Sequence, residues 1–174
     1  MSMTTTADRA PTARVPHWAV VAAHLAALAP VLSSLWRIPL MFGGSMGLDD
    51  AMMDDLMSHP FWERAAYLLG LGVLSETLAF LTIGLVRPWG EFVPRWVPVL
   101  RGKRFPTLVV AVPAALGGVA TTLLFTITGP LGWAGNFDGV DGWTVLMTAC
   151  YAPLTMWGPL LLAVTWAYWR RRRG

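Results

Sequence analysis

The stretch Ala65-Ala66-Tyr67-Leu68-Leu69-Gly70-Leu71-Gly72-Val73-Leu74-Ser75-Glu76-Thr77-Leu78-Ala79-Phe80-Leu81-Thr82-Ile83-Gly84-Leu85-Val86 reads as a membrane span with a carboxylic acid in its middle. About 20 apolar residues cross the hydrocarbon core at ~1.5 Å each. Glu76 then lies ~16 Å from the Ala65 end, near the bilayer midplane. An acid there costs roughly 2.5–3.5 kcal/mol on insertion scales. A partner, a wet cavity or protonation has to offset that cost, and each makes Glu76 a candidate functional residue.

The rest of the chain agrees with a membrane setting. Of 174 residues, 55% are hydrophobic and 13% charged, with ten Trp and nine Met. Such a composition argues against a soluble domain. Three further spans are predicted at about Trp18 to Met41, Thr107 to Thr128 and Thr144 to Trp169. The expected fold is all-α: a four-helix transmembrane bundle over residues 17–174, preceded by a polar, disordered tail over 1–16. The first apolar segment is too long for a signal-peptide core and is read as a retained span.

Basic residues alternate between the connections. Arg9 and Arg14 precede the first span; Arg87, Arg95, Arg101, Lys103 and Arg104 follow the second; Arg170 to Arg173 follow the fourth. The first connection carries Arg64 at its end and the third has none. The positive-inside rule then places both termini in the cytoplasm of a multi-pass cell-membrane protein. It also reads the net charge of +3 as a topology signal rather than a nucleic-acid surface. Acids collect in the outer connections: Asp49, Asp50, Asp54, Asp55 and Glu63 in one, Asp138 and Asp141 in the other. Within the first, Leu48, Met52, Met53 and Leu56 predict a short surface helix with an apolar stripe.

The connection Arg87-Pro88-Trp89-Gly90-Glu91-Phe92-Val93-Pro94-Arg95-Trp96-Val97-Pro98 is interrupted by prolines and set with tryptophan and arginine. Its plain role is an interfacial clamp against lipid phosphate; its sharper one is to close the inner end of a cavity. Pro39, Pro113, Pro153 and Pro159 break regularity inside the spans. Gly117-Gly118 and Ala114-Ala115 permit close helix approach. Kinked helices of this kind either pack simply or enclose a pocket.

Chemistry narrows to a few residues. His17, His24 and His59 are scattered and make no metal-ligand pattern with cysteine, so no metal or cofactor is expected. Cys150 is the lone cysteine, which excludes an intrachain disulfide and a paired-cysteine redox centre. Arg37 lies inside the outer end of the first span, within reach of Glu76. An Arg37–Glu76 pair that locks helix register is the plain reading. The functional one makes Glu76 a proton donor, because apolar surroundings favour the neutral acid. The segment Gly129 to Trp143 interleaves Trp133, Phe137 and Trp143 with Asp138 and Asp141. It reads either as an interfacial loop with Asp141 near the start of the fourth helix, or as a lid placing Asp138 over a cavity. A protonated carboxyl in an aromatic-lined, water-poor pocket suits proton-initiated cyclisation of a prenyl chain.

The pattern Ser34-Leu35-Trp36-Arg37, then Leu85-Val86-Arg87-Pro88-Trp89-Gly90-Glu91 with Pro94-Arg95-Trp96, then Cys150-Tyr151-Ala152-Pro153 with Trp157-Gly158-Pro159-Leu160 and a terminal arginine run, resembles small four-span membrane proteins of actinobacteria. That group includes integral-membrane terpene cyclases acting on prenylated indole or diketopiperazine compounds. The resemblance implies a lipophilic prenylated substrate. On the physical argument, Glu76 or Asp138 is the proton donor and Arg37 its orienting partner. Trp36, Trp133, Phe137, Trp143, Tyr151 and Trp157 form the pocket wall. The alternative is a non-enzymatic partner subunit, or a proton-coupled transporter that uses Glu76 and forms a homo-oligomer to enclose its path. Membrane lipids are partners in either case.

Overall fold

The computed structural model describes residues 14–87, 89, 106–133 and 141–173, apart from the side chains of Leu131 and Trp133. Among them every regular element is helical. In chain order these are α1 (His17–Leu28), α2 (Val31–Met41), α3 (Asp50–Ser58), α4 (Phe61–Gly84), α5 (Thr107–Thr121), a π-helical segment (Thr122–Thr128), α6 (Gly129–Trp133) and α7 (Gly142–Arg173). Four stretches are long and apolar enough to cross a membrane: His17–Met41, Phe61–Gly84, Thr107–Thr128 and Gly142–Arg173. The four expected spans are therefore present.

The first span, expected as one helix, is two: α1 and α2, parted at Ala29 and Pro30. Pro30 has no N–H, so the carbonyl four residues back loses its intrahelical partner. The chain restarts at once: Ser34 N–H and the Ser33 hydroxyl both donate to the Pro30 carbonyl, at 2.9 and 2.8 Å. Before the break, Ala19, Ala22, Ala23 and Ala26 are all buried, and their small side chains let α1 lie close to its neighbours. After it, α2 turns Ser33, Trp36, Leu40 and Met41 inward. Its other flank, with Val31, Ser34, Leu35 and Ile38, is left beside α4.

The core falls into three clusters along the bundle. One joins Ala19, Ala22 and Ala23 to Leu85, Val86, Ala111, Leu161, Val164 and Tyr168. The second gathers Ala26, Ala29, Ala79, Leu154 and Trp157. The third holds Trp36, Leu40, Met41, Leu68 and Met147, with Met46, Leu48, Met53 and Leu56 of the α3 region packed on it. The short surface helix is present, although Met52 of its expected stripe is 42% exposed. Asp49 caps this helix by accepting from Met52 N–H at 2.7 Å.

The third span changes character at Thr122, where α-helical turns widen into a π segment that periodicity does not reveal. It packs against α7 there, and the Thr121 and Thr122 hydroxyls donate to the Gly117 and Gly118 carbonyls just before it. Pro159 cannot donate to the Thr155 carbonyl, and the Thr126 hydroxyl does so instead, at 2.6 Å. Gly158 lies directly against Thr122, and Gly118 lies against Leu162. A side chain at Gly158 would meet the backbone of Thr122, which cannot swing aside as a flexible side chain would. Gly158→Val is therefore expected to destabilise the bundle by about 1–3 kcal/mol, read as a lower thermal midpoint in detergent. Gly70→Ala is the control, because nothing lies within 4 Å of a Cβ added there. An unchanged midpoint for Gly158→Val would show that this contact does not hold the two spans together.

Gly129–Trp133, expected to be loop, is helical as α6 and continues the third span. The remainder of that connection up to Val140 lies outside the described residues, as do Pro88 and the segment 90–105. Of the tryptophan-rich connection, Trp89 is seen to stack on Phe80, with ring centres 5.6 Å apart and planes at 14°.

Candidate functional site

Glu76 lies past the middle of α4 and faces α2. The Ser34 hydroxyl donates to its Oε1 at 3.2 Å. Both residues line a cleft of about 430 Å³ between α2 and α4. Helical spacing builds it: Val31, Ser34, Leu35 and Ile38 recur on one stripe of α2, and Leu68, Leu69, Gly72, Val73, Glu76 and Thr77 on one stripe of α4. Gly72 keeps the passage open opposite Ser34; a Cβ there would lie 3.6 Å from Ser34 Oγ. The rim faces away from the bundle, with Val73 67% and Leu35 56% exposed. The cleft therefore opens sideways, in the direction that lipid occupies around a membrane bundle.

Its polar groups are few. Thr77 Oγ donates to the Val73 carbonyl of its own helix at 2.7 Å. Arg37 also lines the cleft, one turn beyond Ser34, but contrary to the expected pair it does not meet Glu76. Ser34 holds the carboxyl, while the guanidinium lies 5.6 Å from the centre of the Tyr151 ring. Arg37 Nη1 is buried there without a hydrogen-bond partner. Reach along the sequence was sufficient for the pair. Both side chains line the cleft, but the Arg37 guanidinium is turned to Tyr151 on α7 rather than to Glu76.

The described members of the expected aromatic wall, Trp36, Trp143, Tyr151 and Trp157, are not among the residues lining the cleft. Trp36 is 5% exposed and meets Trp143 edge-on at 6.2 Å and 68°. It packs with Met41 and Leu68, two residues that also line the cleft, so it lies one layer behind the wall. Trp157 stacks on Phe125 at 5.9 Å inside the second core cluster. Tyr151 packs between the second and third clusters, and Trp143 is half exposed at the start of α7. Among the residues lining the cleft the apolar ones are aliphatic or Met. The Trp133 side chain, Phe137 and Asp138 lie outside the described residues, and their relation to the cleft stays an expectation.

Asp141 is placed as the cap of α7. Thr144 N–H and hydroxyl donate to its Oδ1 at 2.8 and 2.9 Å. The Thr144 N–H bond first, and then the Thr144 hydroxyl, hold this exposed carboxyl below its usual 3.8. A lowered folded value stabilises the helix start above the ordinary carboxylate range; that stability is lost as pH falls through the lowered value.

A second cavity of about 440 Å³ lies at the α3–α4 junction, lined by Asp55, Leu56, His59, Glu63, Arg64 and Tyr67. It is on the opposite side of α4 from Glu76, by helical spacing. Arg64 is engaged there with the His59 carbonyl at 3.1 Å. Among the described residues no three His, Cys, Asp or Glu side chains cluster to hold a metal ion.

Ser34, a polar residue within the first span, is not among the site residues expected from the sequence. Its signal was present: Ser34 and Arg37 are one turn apart on a helix that begins at a proline. No family model matches the chain, and neither a curated protein nor a solved structure matches it.

Proposed function

We propose that this membrane protein is an intramembrane acid catalyst of the terpene-cyclase type, taking a lipophilic prenylated substrate sideways from the bilayer into the α2–α4 cleft. The observation that carries the reading is Glu76, a carboxyl held by Ser34 on the wall of an otherwise apolar cleft. A volume of about 430 Å³ falls within the range of small-molecule sites. In this reading the Glu76 acid gives its proton to an alkene or epoxide of the prenyl chain. The next alkene captures the resulting tertiary cation. Loss of a proton to the Glu76 carboxylate closes the cycle, so the net change is an isomerisation and the acid is regenerated. The aliphatic walls fit a prenyl chain and keep water out. Arg37 orients a polar group of the substrate one turn beyond Ser34.

The second reading, a proton-coupled carrier site or a docking site for a partner helix, is favoured by the outward opening of the cleft. A carrier site belongs at a subunit interface, whereas an enzyme pocket is completed within one bundle. A prenyl probe bearing a photoreactive diazirine separates them. Labelling of Leu35 or Val73 in a monomeric preparation supports the enzyme. Labelling only in a dimer supports the carrier.

The orientation proposed is that of the positive-inside rule, with the ends of α4 and α7 and both termini in the cytoplasm. Ser58→Cys, in a Cys150→Ala background, is expected to react with an impermeant thiol reagent in intact cells. Arg173→Cys is expected to react only after the cells are opened. The reverse pattern would overturn the orientation.

A further inference from the structure

We propose that the end of the bundle where α1 begins and α4 and α7 finish is a binding surface for the headgroups of anionic phospholipids. The three helices meet there in one core cluster, with Ala19 from α1, Leu85 and Val86 just past α4, and Tyr168 from α7. Val15 and Trp169 pack against it. Arg14, Arg87 and Arg170 to Arg173 surround that cluster. The acids among the described residues lie elsewhere: Glu76 within α4, and the α3 aspartates, Glu63 and Asp141 at the opposite end. The surface is thus wholly cationic among described residues.

Its arginines divide by role. Arg171 is structural: its Nη2 donates to the Leu85 carbonyl at 3.3 Å and ties the end of α7 to the end of α4. Arg14, Arg87, Arg170 and Arg173 are exposed. Arg173 lies 4.0 Å from the Trp169 ring centre and Arg170 lies 5.2 Å from that of Trp166. Both guanidinium groups are exposed beside these rings, and a guanidinium carries five N–H donors, of which a phosphate can take two. Trp166 and Trp89, 52% and 45% exposed, suit the boundary between headgroup and acyl chain. At ~1.5 Å per residue a helix of 32 residues outruns the hydrocarbon core by several turns. If Glu76 is near the midplane, the arginine run therefore emerges at the level of the phosphates. A planar layer of phosphates meets arginines spread around the end of three helices. A nucleic acid would need one face clear of the membrane, and these arginines instead adjoin the apolar belt through their tryptophans.

The test uses the full chain in detergent, titrated with phosphatidylglycerol or phosphatidylcholine and followed by thermal unfolding and by native mass spectrometry. Phosphatidylglycerol is expected to raise the midpoint and to bind, with an effect that shrinks as salt is added; phosphatidylcholine is expected to do neither. The triple variant R87Q/R170Q/R173Q keeps the Arg171 tie and is expected to bind phosphatidylglycerol roughly 100-fold more weakly, at about fivefold for each arginine. R173Q alone, whose side chain touches Trp169 in the folded chain, is expected to show about a fivefold loss and guards against misfolding of the triple variant. Equal stabilisation by both lipids, or unchanged affinity in R173Q and in a folded triple variant, would overturn the proposal. So would binding of a short RNA as tight as that of phosphatidylglycerol, which would make this a general polyanion surface.

Discussion

Glu76→Gln is expected to fold with an unchanged thermal midpoint and to lose turnover of a prenylated substrate by roughly 10²-fold or more. The substitution is nearly isosteric, and the amide oxygen of Gln accepts the Ser34 hydroxyl as Oε1 does now. What Gln cannot do is give up a proton to an alkene. A carboxyl that only locked α2 to α4 would behave differently: because the hydrogen bond survives the change, both stability and turnover would stay near wild type. Ser34→Ala serves as the companion. It removes the donor to the carboxyl while leaving the acid in place, so it is expected to cost less turnover than Glu76→Gln. Membranes carrying each variant, incubated with a prenylated indole and followed by product analysis, decide between these outcomes. Full turnover in a folded Glu76→Gln protein would end the claim for this residue and leave Asp138 as the remaining candidate acid. An inactive Asp138→Asn with active Glu76→Gln would place the chemistry in the connection before α7.

The spans were legible because each depends on something local. Twenty apolar residues in a row have little alternative in a chain this hydrophobic, and the third span occupies Thr107–Thr128, the limits its hydropathy suggested. The α7 cap was legible because an aspartate just before a helix meets free N–H groups whatever surrounds it. The cleft was legible only in part. Glu76 announces itself by its cost in the membrane, but Ser34 and Arg37 both line its cleft, and spacing does not say that the Arg37 guanidinium turns to Tyr151 on α7. Pro39, Pro113, Pro153 and Pro159 read as breaks inside the spans, whereas the break that divides the first span falls at Pro30, where α2 begins. The tryptophans illustrate a second limit. Size and aromatic character say that Trp36 and Trp157 will be buried, and they are, at 5% and 2% exposure. Neither property says which side of a helix faces a cavity and which faces a neighbouring helix. The π segment is a third case: its contacts, through the Thr126–Thr155 bond and Gly158 against Thr122, are with residues some thirty positions away on another helix.

Gly72→Leu is expected to abolish the site by filling it. The added side chain starts 3.6 Å from Ser34 Oγ and 3.8 Å from its Cβ, so Ala at this position makes ordinary contact and is expected to leave most turnover intact. Leu extends further into the cleft, takes the space a prenyl chain would occupy, and presses on the Ser34–Glu76 bond. A displacement of ~1 Å at a reacting group costs on the order of 10²-fold, and turnover is expected to fall by at least that much. Stability should move the other way or not at all. Leu is a better helix former than Gly by about 1 kcal/mol, and here it fills a void lined with aliphatic side chains. Lost activity with a thermal midpoint equal to or above wild type therefore separates an occupied cleft from a damaged bundle. If Gly72→Ala is as inactive as Gly72→Leu, the glycine matters for helix approach and not for space in the cleft. If Gly72→Leu turns over normally, the substrate does not sit between α2 and α4, even should Glu76 prove essential. The same variant also bears on the carrier reading: a second copy seated across the cleft would be pushed off by the added isobutyl group, and light scattering would then show the dimer giving way to monomer.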